Sequence, residues 1–211
     1  KFSSGSYEYN TISIENGVIK IEEDFGSLTL KAQKSIKIET DAVIDLSGKG
    51  YKGLEVFSEE EINSGLSFDL AGGGGSHAGA GGFGSCSEIK STEIYGFNDS
   101  GESFGEGGGV GIKIDDGKGG NGGGFIKLVA PEIVINGKII LKGEDGKDTG
   151  GGGGGGKLSL LGENITINGL IDVSGGDGGT SMFQGAGGGG GGVVFLNTSF
   201  DGNGVIEISG G

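Results

Sequence analysis

Three aspartates in glycine-rich segments are the first residues of this sequence whose type and spacing suggest chemistry. Asp145 and Asp148 lie in the segment Glu-Asp-Gly-Lys-Asp, and Asp177 follows Asp145 by 32 residues. Calcium takes roughly six to eight oxygen ligands, which carboxylates and carbonyls in a tight turn supply. The spacing matches neither an EF-hand nor the nonapeptide calcium repeat of β-helices. We therefore expect no cofactor and interpret these residues first as solvated loops, with all three aspartates as candidate Ca²⁺ ligands.

His77 is the chain's one histidine, and it lies between glycine tracts. It has no plausible Ser or Cys partner for a catalytic triad, so a hydrogen bond that anchors the first glycine tract is its expected role. Polysaccharide lyases and hydrolases with β-helical folds need paired carboxylates or a basic residue in a groove. The chain lacks Arg and Trp, and aromatic residues make up only 7%. We therefore expect no enzyme, with a polysaccharide-binding or polysaccharide-cleaving β-helix protein as the alternative.

Side chains near the tips of the glycine tracts are the candidate binding residues. Glycine has no Cβ, so tightly packed tracts would present other side chains only at their rims or tips. The residues in such places are Ser76, His77, Phe83, Met182, Phe183 and Gln184.

Three Asn-x-Ser/Thr sequons stand at Asn98, Asn164 and Asn197. They would accept N-glycans in a secreted eukaryotic or archaeal protein. Asn164 opens an alternating apolar segment, so glycosylation there requires that this face is exposed.

Composition and charge exclude several classes of protein. The net charge is -14, from 29 acidic and 15 basic residues, which would repel the phosphates of a nucleic acid. Glycine accounts for 55 of the 211 residues, but the single proline and the irregular glycine spacing exclude collagen. No apolar run approaches the roughly 20 residues of a membrane span. One cysteine permits no internal disulfide.

A repeat with an offset of 32 residues organises the chain. The segment Phe125–Gly137 can be laid over Lys157–Gly169, with apolar residues in matching places. Apolar and polar residues alternate within each short segment, which indicates β-strands rather than helices. Because no such segment can bury its own apolar face, neighbouring copies are expected to stack.

Three strands per copy predict an all-β fold, a parallel β-solenoid of about five triangular rungs in a single domain, residues 1–211. The Asn-Gly pairs that recur in the copies would be corners where glycine adopts positive φ. An antiparallel sandwich of hairpins, with the same pairs as turns, is the alternative. The rungs are expected near residues 7–26, 27–48, 123–143, 157–175 and 193–211, with glycine-rich insertions at 49–122, 144–156 and 176–192 leaving one corner.

The glycine runs permit two interpretations. Seven consecutive glycines are typical of a flexible linker. Glycine chains also adopt an extended helix with three residues per turn, and without Cβ atoms several of them can pack closely. Tracts that leave one corner of a rigid stack would suit such a polyglycine-II-like layer, provided that they hydrogen-bond to one another or to a partner.

Several glycine-rich segments follow one another in a suggestive order: Gly48–Gly53, Gly72–Gly82, Gly105–Gly109 and Gly123–Leu128, before the pattern Ile-x-Ile-Asn-Gly-x-Ile. Together they resemble glycine-rich repeats of large secreted and cell-surface proteins of microbes, which look adhesin-like. The resemblance implies an extracellular or cell-surface modular protein and transfers no catalytic residue. A looser similarity exists to glycine-rich phage tail-tip adhesins, which pack polyglycine helices in layers but do not need flanking strands.

We therefore expect a non-catalytic extracellular structural module, a unit of a surface fibre, filament or adhesin, with a phage tail-type adhesin as a further alternative. Self-association is the main expected interaction, because open strand edges promote end-to-end stacking. A surface glycan is the other expected partner. Nucleic acid and a membrane span are not expected.

Overall fold

The computed structural model describes residues 3–53, 71–84, 94–96, 101–111, 117–180 and 185–211. The secondary structure in these ranges consists of β-strands, and they contain no helix that could cross a membrane. The strands are β1 (Gly5–Ile19), β2 (Ser27–Asp45), β3 (Phe125–Val129), β4 (Glu132–Ile135), β5 (Lys138–Ile140), β6 (Lys157–Leu161), β7 (Asn164–Ile167), β8 (Leu170–Asp172), β9 (Val193–Leu196), β10 (Phe200–Asp201) and β11 (Val205–Glu207).

The strands form one parallel, strongly curled sheet. Strand β2 is long enough to pair in succession with β3, β4 and β5 on one side, while β1 pairs along its other side. Three series then continue outward: β3 to β6 to β9, β4 to β7 to β10, and β5 to β8 to β11. All pairings between these strands are parallel, so the antiparallel sandwich does not occur in the described part of the chain.

The strand register follows the sequence repeat. Phe125 lies opposite Lys157, and Glu132 lies opposite Asn164, each across the same 32-residue offset. A slip by one residue would turn every apolar side chain to the opposite face of the sheet. The alternation of apolar and polar residues therefore specifies this register.

Isoleucine and leucine side chains fill the inside of the curled sheet. Ile36, Ile133 and Ile165 lie opposite one another on successive strands, with 0%, 0% and 3% exposure. Parallel strands lie about 4.8 Å apart, so each of these side chains contacts the next. Burying one such side chain contributes about 1.5–3 kcal/mol before entropy is counted.

The Asn-Gly corners have a different physical basis from the expected one. Gly17 does have a φ of 86°, but Gly137 and Gly169 do not have positive φ. A Cβ at Gly169 would instead overlap the carbonyl oxygen of Gly137. The expectation of positive φ is wrong at these two corners, because the close approach of successive backbones is what requires glycine.

A glycine tract, residues 150–156, leads directly into β6 and is buried throughout. Its backbone N–H groups donate to three neighbouring segments in rotation, so that every third residue meets the same neighbour. The pairs are Gly151 and Gly154 with residues 106–109, Gly152 and Gly155 with 187–190, and Gly153 and Gly156 with 141–144, at 2.8–2.9 Å.

The carbonyl oxygens of this tract accept hydrogen bonds from three further segments. These are residues 120–123 for Gly151 and Gly154, residues 176–179 for Gly150 and Gly153, and Gly75 for Gly152. The tract therefore lies among six hydrogen-bonded neighbours. Since a buried backbone group without a partner is costly, this arrangement explains how a chain without side chains is held in place.

The packing leaves no room for a side chain along the tract. A Cβ at Gly151 would overlap the carbonyl oxygen of Gly73, and a Cβ at Gly153 would overlap that of Asn121. Glycine is thus needed here for the distance between backbones.

We expect Ile167→Ala to lower the free energy of unfolding by about 2–5 kcal/mol, because Ile167 is fully buried and its loss leaves a cavity. Thr166→Ala is the matched control, since Thr166 is the preceding residue of the same strand and is only partly buried. Urea unfolding measures both. A cost for Thr166→Ala as large as that for Ile167→Ala would contradict the assignment of the inner face.

We expect Gly153→Ala to lower the free energy of unfolding by about 1–3 kcal/mol or more, because the added methyl group must push two backbones apart. Gly185→Ala is the control, since a Cβ there meets nothing within 4 Å. Thermal unfolding of both variants measures the difference. Equal melting temperatures would argue against close packing of residues 150–156 with the neighbouring segments.

Candidate functional site

Residues 150–156 and the six segments hydrogen-bonded to them are called the glycine layer below. His77 lies where this glycine layer meets strand β6, and it is fully buried. Its Nδ1 is 2.7 Å from the carbonyl oxygen of Gly155, and its Nε2 is 3.0 Å from Oγ of Ser103. A carbonyl oxygen only accepts, so Nδ1 carries the proton and Nε2 accepts from the Ser103 hydroxyl. The neutral imidazole therefore connects the glycine tract of residues 150–156 to the segment around residue 103.

Tyr95 covers the His77 ring. The two ring centroids are 4.9 Å apart with the planes tilted by 44°, and the Tyr95 hydroxyl donates to the carbonyl oxygen of Phe104 at 2.5 Å. Burial raises the pKa of Tyr95, and the nearby Glu106 carboxylate raises it further. Tyr95 thus remains a neutral hydrogen-bond donor.

Lys157 begins β6 and is also fully buried. Its register partners are apolar, Phe125 on one side and Val193 on the other, while its Nζ donates to the carbonyl oxygen of Gly96 at 3.1 Å. A buried ammonium group is costly unless it is hydrogen-bonded. Lys157 therefore holds the Gly96 segment against the sheet.

The pKa of His77 is lowered from its ordinary 6.5. Burial is the main cause, and the positive charge of Lys157 acts in the same direction, while the hydrogen bond to Gly155 opposes both. The imidazole is therefore neutral at pH 7.

The contact between His77 and Ser103 has the form of an activated nucleophile, which the sequence did not indicate. Two features of the surroundings oppose that role. A Cβ at Gly96 would lie 2.6 Å from Nε2 of His77 and 3.1 Å from Oγ of Ser103, so this segment lies directly against the pair. The charge of Lys157 also disfavours the imidazolium ion that a Ser–His mechanism must form. The geometry suits an anchor better than a catalytic dyad.

The candidate tip residues differ in their accessibility. Ser76 and His77 are fully buried, and Ser76 Oγ accepts from the Gly81 N–H at 3.1 Å, whereas Phe83 is 62% exposed. Met182, Phe183 and Gln184 lie outside the described residues. Phe83 is thus the tip residue in the described part that a ligand could contact without rearrangement.

The candidate metal ligands are only partly brought together. The Asp177 N–H donates to Oδ1 of Asp145 at 2.9 Å, and Lys142 Nζ lies 3.7 Å from the same oxygen. Asp148 has a φ of 53° and lies 4.0 Å from Lys147 Nζ. The described residues contain no group of three or more His, Cys, Asp or Glu side chains arranged for a metal. Calcium binding by these aspartates stays a prediction.

Two of the sequon asparagines lie in the described ranges, and both are exposed. Asn164 begins β7, which meets the condition that this face is open. Asn197 accepts from the Gly162 N–H through Oδ1 at 2.9 Å, so this hydrogen bond does not use Nδ2, the atom that carries a glycan. Asn98 lies outside the described residues.

A cluster of four aromatic rings is a feature that the sequence did not reveal. The Phe25 ring lies edge-on to Tyr51 at 5.1 Å and to Phe104 at 4.8 Å, with Phe125 beneath Phe104 at 6.3 Å. Phe25 and Tyr51 are 40% and 48% exposed. The rings come from distant parts of the chain, so no local pattern could have predicted their contact.

We expect the protein to lose stability as the pH falls below about 6.5, because the unfolded chain takes up a proton on His77 that the folded chain excludes. The folded pKa is depressed, so this contribution is complete above pH 6.5 and declines until the folded pKa is reached, by at most about 1.4 kcal/mol per pH unit. Urea unfolding between pH 5 and 7.5 measures the slope.

His77→Gln is the matched variant for this test, because the side-chain amide of glutamine can still donate a hydrogen bond but does not titrate. It should be less stable than the parent at pH 7.5 and should lack the His-dependent part of the slope. An unchanged slope in the variant would assign the pH dependence to other groups.

Comparison with protein-family models, with curated proteins and with solved structures found no match to this chain. The site must therefore be interpreted from its own geometry.

Proposed function

We propose that this chain is a non-catalytic, extracellular structural module, a unit of a surface fibre, filament or adhesin. The observation that carries the proposal is the hydrogen bonding of residues 150–156 to six neighbouring segments. Such a layer uses its polar groups internally and loses much conformational entropy on folding. A layer that is ordered in this way, with its hydrogen bonds made internally, suits a rigid spacer.

In this proposal the curled sheet is a triangular β-solenoid of five rungs. The register supports it, since Ile19, Ile44, Ile139, Ile171 and Ile206 stand opposite one another on five successive strands. The backbone ladder also continues past the third strand of each rung. Leu46 donates to Ile140, Leu141 to Asp172 and Val173 to Glu207, at 2.7–2.9 Å. Thus each glycine excursion would leave one corner of the stack.

The glycine layer is proposed to be polyglycine-II-like. Its support is the recurrence of each neighbour after three residues, which matches a helix with three residues per turn. Neighbours run in both directions: 187–190 parallel to the central tract and 106–109 antiparallel to it. Sheet and glycine layer together would make a stiff body with few side chains on one flank.

We expect electron micrographs of the native material to show filaments or a regular surface layer, because a module with a rigid flank and two sheet edges that no described strand covers is suited to an array. Immunogold labelling of intact cells with antibody to the chain locates it. Label confined to the cell interior, or free particles alone, would contradict the proposal.

Polysaccharide binding is a second candidate function, supported by the exposed pair Phe25 and Tyr51. Apolar ring faces beside hydrogen-bonding groups are suited to sugar rings. Here the ion pair between Lys52 Nζ and Asp24 Oδ2, at 2.7 Å, borders the rings.

We expect a glycan array to show binding that Tyr51→Ala abolishes, since this substitution removes an exposed ring face. Tyr9→Ala is the control, because Tyr9 is 55% exposed and lies on β1, whereas Tyr51 lies outside the strands. Equal binding by both variants would remove the Phe25–Tyr51 patch as the site. Cleavage of any polysaccharide on the same panel would overturn the non-catalytic assignment.

A further inference from the structure

The two outer boundaries of the curled sheet remain unpaired among the described strands. At one boundary β1 pairs only with β2, and at the other β9, β10 and β11 pair only with β6, β7 and β8. Both boundaries present strands that run in the same direction. Unpaired edges of this kind are templates for pairing with another chain.

Exposed apolar side chains lie on both boundaries. Val18 on β1 is 59% exposed, and Val205 on β11 is 53% exposed. Inside the sheet, Val18 lies opposite Val43. The same row continues through Lys138 and Leu170 to Val205, so Val18 and Val205 are its two end residues.

The charges on the two boundaries are complementary at the adjoining position. Lys20 Nζ is 2.9 Å from Oδ2 of Asp45, although the Lys20 side chain is 66% exposed. The residues that follow Asp45 in register on successive strands are Ile140, Asp172 and finally Glu207. A lysine therefore starts this row, and an exposed glutamate ends it.

We propose that copies of this chain stack head to tail in one register, in which β11 of one copy pairs with β1 of the next. Val205 then lies on Val18 of the second copy, Ile206 lies on Ile19, and Glu207 pairs with Lys20. The occupant of each edge is thus a second copy of the same chain. This inference rests on the proposed structural function and specifies the contact through which the fibre grows.

Disulfide trapping tests the register. Adjacent residues on parallel strands lie about 4.8 Å apart, within the range that a disulfide spans. In a Cys86→Ser background, the double variant Val18→Cys/Val205→Cys should give a ladder of covalent multimers under mild oxidation. The single variants should give none alone and should give dimers when mixed.

Ser13→Cys/Val205→Cys is the matched control. Ser13 is exposed on the same strand, but the proposed register places it beside Asp201. The Val18 pair should yield about tenfold more cross-linked chain than this control, because cysteines whose Cα atoms are more than about 7 Å apart cannot bridge. Equal ladders from the two pairs would overturn the register.

Charge reversal gives a second readout that needs no oxidation. Glu207→Lys should weaken self-association about three- to tenfold, as loss of an exposed ion pair and its replacement by repulsion predict. Glu163→Lys changes the net charge equally at an exposed site before β7, one strand inside the edge, and should have less effect. Sedimentation velocity over a concentration series measures both, and circular dichroism checks that each variant is folded.

The outcomes separate this inference from the proposed function. Assembly of the parent without the Val18–Val205 ladder would overturn the register and leave a fibre module in place. A parent protein that stays monomeric at every concentration, together with a Val18→Cys/Val205→Cys variant that forms no ladder, would overturn head-to-tail stacking by copies of this chain. In that case, native filaments would show whether the structural function survives with another partner at the edges.

Discussion

The distance between neighbouring backbones is the constraint on which the rest of this structure depends. Within the sheet, the strand spacing brings each Ile or Leu onto its counterpart and fixes the register. In the glycine layer, neighbouring chains approach so closely that a Cβ at Gly151 or Gly153 would overlap a carbonyl oxygen. One part of the molecule is thus held by stacked side chains, and the other mainly by backbone hydrogen bonds.

Two such different parts need a joint, and polar side chains form it. His77 connects Gly155, in the tract of residues 150–156, to Ser103. Lys157, the first residue of β6, holds Gly96 by a hydrogen bond to its carbonyl oxygen. Both side chains are fully buried. Burying these polar groups is costly, and their hydrogen bonds offset part of that cost. Two of the three hydrogen bonds described for these side chains go to backbone carbonyls, which suits attachment.

The sequence was most informative where structure is local and repeated. The offset that relates Phe125 to Lys157 is also the register of β3 with β6, because period-two alternation and strand stacking obey the same geometry. It also brings Asp145 and Asp177 together. The pairing of His77 with Ser103 and the aromatic cluster around Phe104 could not be predicted. These contacts depend on how long excursions fold back, which no short pattern encodes. At Gly137 the residue type was predictable and its reason was not, since crowding by another strand is a tertiary effect.

The all-glycine character of residues 150–156 has a consequence for handedness. Glycine is achiral, so an isolated tract would adopt a left-handed or a right-handed screw at equal energy. Because the tract has no such preference, it can also pair with parallel and antiparallel neighbours together. In the folded protein the sense of any screw must be imposed from outside, by the L-residues that border the layer, such as Leu141, Val173 and Lys157. The strands would therefore supply the chirality of a layer that has none of its own.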